Sequence, residues 1–539
     1  MPAPLRSISA RAPGLYGLNT QASAAAISPR WALEATNLVF DDSARLVSRK
    51  GSTRIHSSAI NGGADTKVVF EYKASVSSTH LIAAGGNKVS ASDANDFTTW
   101  TDKTAGITTP TADNWKFTNY NGYLVGVQAG HNPIEWDGSG AFSDSVFSNN
   151  DPGEPIDVLS AYGRLWWLKS DGRTVVYSGI LDSPTAGAGS DEWHGAGSGS
   201  FDVTGITFPS NSEGGGWMVG DDFATSLAAF EDKLIIFGRN GIIIYGGVED
   251  PNNNLYAHDA IAGIGCIARD SIQHIGTDIL FVDSTGLRSL ARTIQNEKMP
   301  IQDLSKNVRD DLVIDIESDR GTSFVNIKSG YQKQDGFYVL ATPGNVWVFD
   351  LKFPIEENES FRATAWDCDF NAFSCGCDGD MYIASPDGYV TKYDGYLDNQ
   401  PLAGGSGDTY NMSYKSSWQD FASQTGGGGE VIKFPKIYKV TVKGIKDQVV
   451  NLALAYDFSA AVYTEAKTIT NVPTAAEWGE AEWGIGEWAG NSIFNFEFLR
   501  SSPIKSGQYI QMQVSAQISG AAVGIQTIEL LVKMGRYAR

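Results

Sequence analysis

Trp115-Lys-Phe-Thr-Asn-Tyr-Asn-Gly122-Tyr-Leu-Val-Gly-Val127, followed by Ile134-Glu-Trp-Asp-Gly138, decides how this chain folds. It reads as an apolar strand, an Asn-Gly turn, a second strand, and a third strand ending in an aromatic residue and Asp-Gly. Asn-Gly between alternating apolar runs is a strong hairpin signal, because both residues tolerate the positive φ that a tight turn needs. The phrase then returns. Leu159-Ser-Ala-Tyr-Gly163-Arg-Leu-Trp-Trp-Leu168 leads to Val175-Val-Tyr-Ser-Gly179, and Leu227 through Gly238 leads to Ile242-Ile-Ile-Tyr-Gly246. Met381 through Gly388 leads to Val390-Thr-Lys-Tyr-Asp-Gly395. Hairpins recurring at roughly 40–65 residues predict a radially repeated sheet, a β-propeller, over about 65–400. The hairpins between 290 and 365 are indistinct, so the blade number stays open.

The flanks differ from the repeats. Residues 1–64 are expected to form a basic N-terminal arm and hairpin that pack at a subunit boundary. Within it, Ile27 to Asn37 is expected to begin as one helical turn, with Ser28 as N-cap and Pro29 at the first position. Leu38–Phe40 and Leu46–Ser48 read as a hairpin around Asp41-Asp-Ser-Ala44. Pro401-Leu-Ala-Gly-Gly-Ser-Gly-Asp408 has a linker's composition. The long alternating strands after it, Lys436–Lys443, Val449–Tyr456, Tyr509–Val514 and Gln526–Lys533, predict a β-sandwich over 401–539. The fold class is therefore all-β: a β-propeller plus a C-terminal β-sandwich-like domain, with an N-terminal arm. A short helix is expected at Leu304–Leu312, capped by Asp303. The Gly-rich stretch 182–225 is too long for a turn and reads as a protruding loop. Trp478, Trp483 and Trp488 recur every five residues, matching neither a strand face nor a helix face, so an aromatic loop over a sheet edge is expected.

Composition excludes several functions. The 539 residues carry a formal charge of −21. Residues 1–55 hold seven basic against three acidic side chains, a net of +4, which leaves −25 on the remainder. Such a body repels phosphate backbones, so a sequence-reading DNA-binder is not expected. No run of about 18 apolar residues is present to span a membrane as a helix. The first residues lack a signal peptide's layout, and four cysteines in 539 residues read as free thiols.

Motifs for chemistry are sparse. Cys368, Cys375 and Cys377 have the wrong spacing for zinc, and the six histidines form no metal motif. There is no nucleophile elbow and no phosphate-cradling glycine loop ahead of a helix. Most aspartates stand beside glycine in turn positions, where they bond their own backbone. No catalytic residue, metal or cofactor is expected. The basic residues Arg30, Arg45, Arg49, Lys50 and Arg54 form a candidate assembly interface, able to dock on an acidic neighbouring copy or on a ring above it.

One resemblance covers most of the chain through short motifs. Gly17-Leu-Asn-Thr20, Ser28-Pro29 with Ala32, Ala35 and Asn37, then Leu46 and Arg49-Lys-Gly51 resemble the opening of the tail nozzle (tail tubular B) proteins of short-tailed bacteriophages and related packaged-DNA stabilisation hubs. Pro133-Ile-Glu-Trp-Asp-Gly138, Phe281 to Ser289, the Trp-Gly repeats near 478–488 and Ile528 to Gly535 are similar to that family too. The resemblance implies structural roles for Asn19, Asn37, Arg49 and Gly51. It also implies a homohexameric ring beneath an adaptor protein, bearing tail fibres or spikes. Such a ring belongs to the virion, is made in the host cytoplasm, and conducts genomic DNA without sequence-specific binding. It closes the tail, retains the packaged genome and passes it at ejection, with stretch 182–225 as a candidate gate. The alternative reading is a carbohydrate-active or carbohydrate-binding propeller, a phage depolymerase or lectin.

Overall fold

The computed structural model describes residues 5–144, 153–180, 199–203, 222–295, 303–355, 360–376, 378–402, 405–421, 431–445, 447–460, 462–470 and 495–537. The repeated hairpins form as the sequence predicts, and the described residues arrange them into seven blades. Blade 1 spans Thr66–Ser75 to Asp96–Asp102, blade 2 Lys116–Tyr120 to His131–Trp136, and blade 3 Pro155–Ala161 to Gly199–Asp202. Blade 4 runs from Ala224–Phe230 to Tyr256–Ala262. Blade 5 runs from Gln273–His274 to Gly286–Ser289, and blade 6 from Lys328–Gln332 to Arg362–Trp366. Blade 7 combines Ala372–Cys375, Met381–Ala384 and Val390–Tyr393 with a fourth strand taken from the N-terminal segment, Ser52–Arg54.

Each blade is apolar on both faces because successive side chains of a strand point to opposite sides. Trp166 and Trp167 show the rule. Trp166 packs with Leu234 and Ile236 of blade 4, while Trp167 packs with Val125 and Val127 of blade 2. Tyr72 and Ile82 join blade 1 to Trp115 and Phe117 of blade 2, and Phe237 and Phe281 join blades 4 and 5. The circle shuts where Val69, Leu81 and Ala83 of blade 1 meet Ala372, Tyr382 and Ala384 of blade 7. Interleaved apolar faces of this kind make each blade depend on both neighbours.

Beyond the ring lies the sandwich. One sheet runs Leu38–Phe40, Leu46–Ser48, Gly524–Tyr537, Val431–Gly444 and Asn495–Ser501, with Leu5–Arg11 also paired to Gly524–Tyr537. The other holds Ala32–Thr36, Tyr410–Ser416, Ile510–Ile518, Val449–Tyr456 and Val462–Thr468. Tyr438, Val440, Ile528 and Leu530 from the first face Tyr414, Leu452, Met512 and Val514 from the second in one core.

The sheets cross the limits expected at 64/65 and 400/401. Ala32–Thr36 pairs in parallel with Arg362–Trp366 of blade 6 and antiparallel with Tyr410–Ser416 of the sandwich, fusing them into nine continuous strands. Residues 5–54 thus supply strands to three sheets, not to an arm. The helical turn expected from Ile27 is replaced by that strand; Ser28 Oγ accepts from Arg30 N at 3.2 Å, and the helix goes no further. Pairing partners on both edges outweigh a weak local preference. The second expected helix begins later than Leu304. Asp303 Oδ1 instead caps Ser305 N at 2.8 Å in a turn, and the helix spans Arg309–Ser318.

Two predictions follow from closure and burial. A chain starting at Asn61 lacks the fourth strand of blade 7 and four sandwich strands, so its thermal melt by circular dichroism is expected to lose the cooperative transition. Retention of the full-length melting curve would contradict this. Glu135 of blade 2 is half-buried, with Oε2 unpartnered among the described residues. Burial, assisted by the charge of Asp137, pushes its carboxyl from 4.5 up to about 7. The raised value means that its contribution is full below pH 4.5 and is lost as pH rises through about 7. Glu135→Gln is therefore expected to be more stable than wild type by about 2 kcal/mol at pH 8, allowing for partial exposure, and equal to it near pH 4. Urea unfolding at the two pH values checks this, and a pH-independent difference would contradict it.

Candidate functional site

The basic residues of the N-terminal segment converge on the seam between propeller and sandwich. Leu46–Ser48 ends one strand of the sandwich, and the next residue, Arg49, turns its side chain into the seam, where it is fully buried. Its Nη1 and Nη2 donate to Asp398 Oδ1 and Oδ2 at 2.8 and 2.6 Å, a bidentate pair. Nε donates to Asn37 Oδ1 at 2.9 Å, and Nη1 also reaches Lys50 O at 2.9 Å. The guanidinium lies 4.1 Å from the Tyr410 ring centroid, with Trp366 and Phe370 at 5.8 and 5.6 Å. Tyr410 Oη donates to Arg49 O. Burial alone would lower the Arg49 pKa, but the hydrogen bonds and charge of Asp398 hold it above the ordinary value.

Asn37 and Gly51 serve the same seam. Asn37, at φ 55°, accepts from Arg49 Nε and Asp367 N and donates from Nδ2 to Asn411 O at 2.7 Å. Gly51 runs so close to Leu397 that a Cβ would lie 2.1 Å from its carbonyl oxygen, which only glycine avoids. Asn19 stands apart, closing a turn by accepting from Gln21 N and Ala22 N at 3.2 and 3.0 Å.

Three of the five cations of the candidate interface, able to dock on a neighbouring copy or a ring above, are engaged within this chain. Arg49 is enclosed, Lys50 pairs with Asp335 at 3.3 Å, and Arg54 pairs with Asp387 at 2.8 Å while lying 3.7 Å over Tyr389. The acidic partner that the sequence placed on another copy is this chain's own propeller. Arg30 remains exposed, bonded to Tyr16 Oη at 3.0 Å, and Arg45 is half-buried at the end of the Asp41–Ala44 turn. Trp478, Trp483 and Trp488, Cys377 and most of the stretch 182–225 lie outside the described residues.

The chain carries two surfaces of opposite charge. A groove of about 440 Å³ is lined by Asp367, Asp369, Asp387, Asp398 and Asp408. Cys368 lies in it, and burial pushes its thiol up to about 12; Cys375 is raised to about 12 and Cys266 to about 11 by the same cause. Such thiols are poor nucleophiles at neutral pH. Among the described residues no three or more His, Cys, Asp or Glu side chains are grouped to hold a metal.

The second surface is the outer face of the sandwich sheet formed by Leu5–Arg11, Gly524–Tyr537, Val431–Gly444 and Asn495–Ser501. Pairing registers align Arg11 with Thr527, Lys439 with both Glu529 and Arg500, and Phe434 with Lys533. Exposed Lys436 and half-buried Lys443 belong to the same strand as Lys439. Lys439 pairs with Glu529 at 3.0 Å and lies 4.0 Å over the Phe498 ring. Leu5, Phe434 and Phe498 are 53%, 37% and 57% exposed there. This basic, partly apolar face was missed in the sequence reading, although a signal existed: the 14-residue strand Val431–Gly444 holds four lysines and no acid.

No family model and no curated protein sequence matches the chain. Among solved structures it is similar to a streptogramin B lyase at 11% identity, over 64% of this chain and 96% of that one, with a TM-score of 0.33. It is similar to the WD40 domain of Neurospora crassa Pan2 at 8% identity, over 64% and 96% of the two chains, with a TM-score of 0.37. PorZ, a surface component of the type-IX secretion system of Porphyromonas gingivalis, matches at 11% identity over 69% of this chain and 42% of its own, with a TM-score of 0.36. These likenesses concern fold alone.

Removing one partner of the seam pair strands the other charge, which typically costs about 3–5 kcal/mol when buried. Arg49→Met and Asp398→Asn are each expected to destabilise by about that amount, and the double variant by less than the two combined. Denaturant unfolding measures it; single variants within about 0.5 kcal/mol of wild type would contradict the role.

Proposed function

We propose that this protein is a structural subunit of a ring, a tail nozzle or hub of a short-tailed phage, which closes the tail, retains packaged DNA and conducts it at ejection. The observation that carries the reading is the basic, partly apolar outer face of the sandwich on a chain of net charge −21. Exposed Phe434, Phe498 and Leu5 among lysines are poorly suited to solvent and suited to a neighbour. Asp367, Asp369 and Asp408 of the acidic groove lie on the same chain, so unlike surfaces of successive copies are complementary. Head-to-tail contacts of this kind close into rings when the rotation per subunit allows.

The remaining acidity fits a conduit. A wall of like charge offers phosphates no seat, so DNA passes without being held. The cations left on the sandwich face would be covered by the neighbouring copy. Adaptor, fibre or spike partners and virion residence belong to this proposal as well. The rigid seam supports it further, since a load-carrying ring needs propeller and sandwich to move as one body.

Light scattering of purified protein over a salt series is the test. Rings are expected at low ionic strength and should dissociate as salt screens the contact, with Lys436→Glu/Lys533→Glu shifting the midpoint to lower salt. A monomer at every salt concentration, or release of reducing sugar from host polysaccharide, would contradict the reading and favour the carbohydrate alternative.

A further inference from the structure

The propeller axis holds a cavity of about 300 Å³, lined by Lys67, Trp115, Lys116, Asp270, Gln273 and Lys328 among others. The lining comes from the innermost strands of blades 1, 2, 5, 6 and 7 and from the turn ahead of blade 5. Their charges do not balance. Asp270 accepts from Arg269 Nε and Nη2 at 3.0 and 2.9 Å, from Lys116 Nζ at 3.4 Å, and from Lys328 Nζ. Asn114 Oδ1 also accepts from Arg269 Nη2 at 2.8 Å and from Lys328 Nζ at 2.9 Å.

Asp157 is the other acid close enough to act on this cluster, and its oxygens are already engaged. Oδ1 accepts from Val158 N at 2.9 Å and Oδ2 from Leu227 N at 2.7 Å. Three cations therefore share two carboxylates, of which Asp270 already holds four donors and Asp157 two backbone donors. Lys116 keeps a side chain 32% exposed. Trp115, only 1% exposed, has an indole N–H with no acceptor among the described residues. Lys67 is the one lining cation with an acid of its own, Asp65 at 2.6 Å. A lining rich in donors and short of acceptors is an electrostatic vacancy for an anion, because buried donors and charges are costly until they find a counterpart.

We propose that the axial cavity binds a small oxyanion of the carboxylate or phosphate class, with Lys116 and Lys328 supplying charge and Trp115 a neutral donor. The volume admits inorganic phosphate or a short carboxylic acid and is far too small for a nucleic-acid strand. The site is thus separate from any passage of DNA and from the assembly surfaces. The state of Lys328 agrees with a surplus of positive charge. Burial lowers its ammonium to about 8, with the charges of Arg269 and Lys116 adding to the effect and Asp270 opposing it. An anion seated here would tie blades 2 and 6 together across the axis.

Calorimetric titration of the full chain with inorganic phosphate and with acetate, at constant ionic strength made up with chloride, tests the proposal. Saturable binding of one of the two is expected, and the preferred anion assigns the class. Lys116→Gln should weaken it about tenfold, the loss of one charge-assisted hydrogen bond. Trp115→Phe should weaken it about threefold, as for a neutral donor. Lys328→Met would strand Asp270 and risk unfolding, so the two milder variants carry the test, with circular dichroism confirming their fold. Absence of saturable binding in wild type, or equal affinity in wild type and both variants, would overturn the site.

Discussion

The buried pairing of Arg49 with Asp398 is the constraint on which the rest of the structure depends. A guanidinium taken wholly out of water is tolerable only when its donors are matched, and here the carboxylate, Asn37 and a backbone carbonyl match them. Each partner fixes a different layer. Asp398 follows the last blade, Tyr410 opens the sandwich, and Asn37 leads from the bridging strand into the N-terminal hairpin. One side chain therefore sets the register among three parts of the fold. A lysine could hold the charge but not the planar fork.

The chain ends are committed to that arrangement. Leu5–Arg11 pairs with Gly524–Tyr537, and Ser52–Arg54 pairs with Val390–Tyr393, so the first 54 residues are placed only when partners some 340 and 520 positions away exist. The blades between are local hairpins that can form early, and the N-terminal strands then lock the circle and the sandwich together. The propeller is shut by hydrogen bonds across its first and last segments, and the sandwich is built from both ends of the sequence. Among the described residues such wiring joins the two halves through strand pairing.

What the sequence disclosed follows from how local each feature is. Asn121-Gly122 and Tyr162-Gly163 mark tight turns whose geometry depends on the residues themselves, so the blades were legible. Blade 6, within the indistinct stretch 290–365, was not, because the helices Leu290–Gln295 and Arg309–Ser318 interrupt the rhythm before its first strand, Lys328–Gln332. The strand Ala32–Thr36 was hidden for the opposite reason: its conformation is imposed by two partners distant in sequence, against a turn preference at Ser28-Pro29. Arg49, Lys50 and Arg54 were visible as cations, but the aspartates that claim them, at 398, 335 and 387, are far along the chain. The sandwich's basic face was readable in Val431–Gly444 and was passed over because the total charge is so negative. The axial cavity could not be read at all, since it arises only where five blades meet.

Charge gives the molecule its direction. Acid dominates the chain, base is gathered on one sandwich face and in the axis, and the seam cations are neutralised internally. That segregation is what the proposed ring requires, unlike surfaces meeting between copies while the remaining acid repels polyanions. All of it presumes that propeller and sandwich are a single rigid body. Denaturant unfolding followed at once by hydrogen exchange of the Arg164–Lys169 amides, in a blade, and of the Val431–Gly444 amides, in the sandwich, tests that directly. Coincident midpoints are predicted for the two probes. Two transitions separated in denaturant, with the sandwich amides exchanging while the blade amides stay protected, would contradict it.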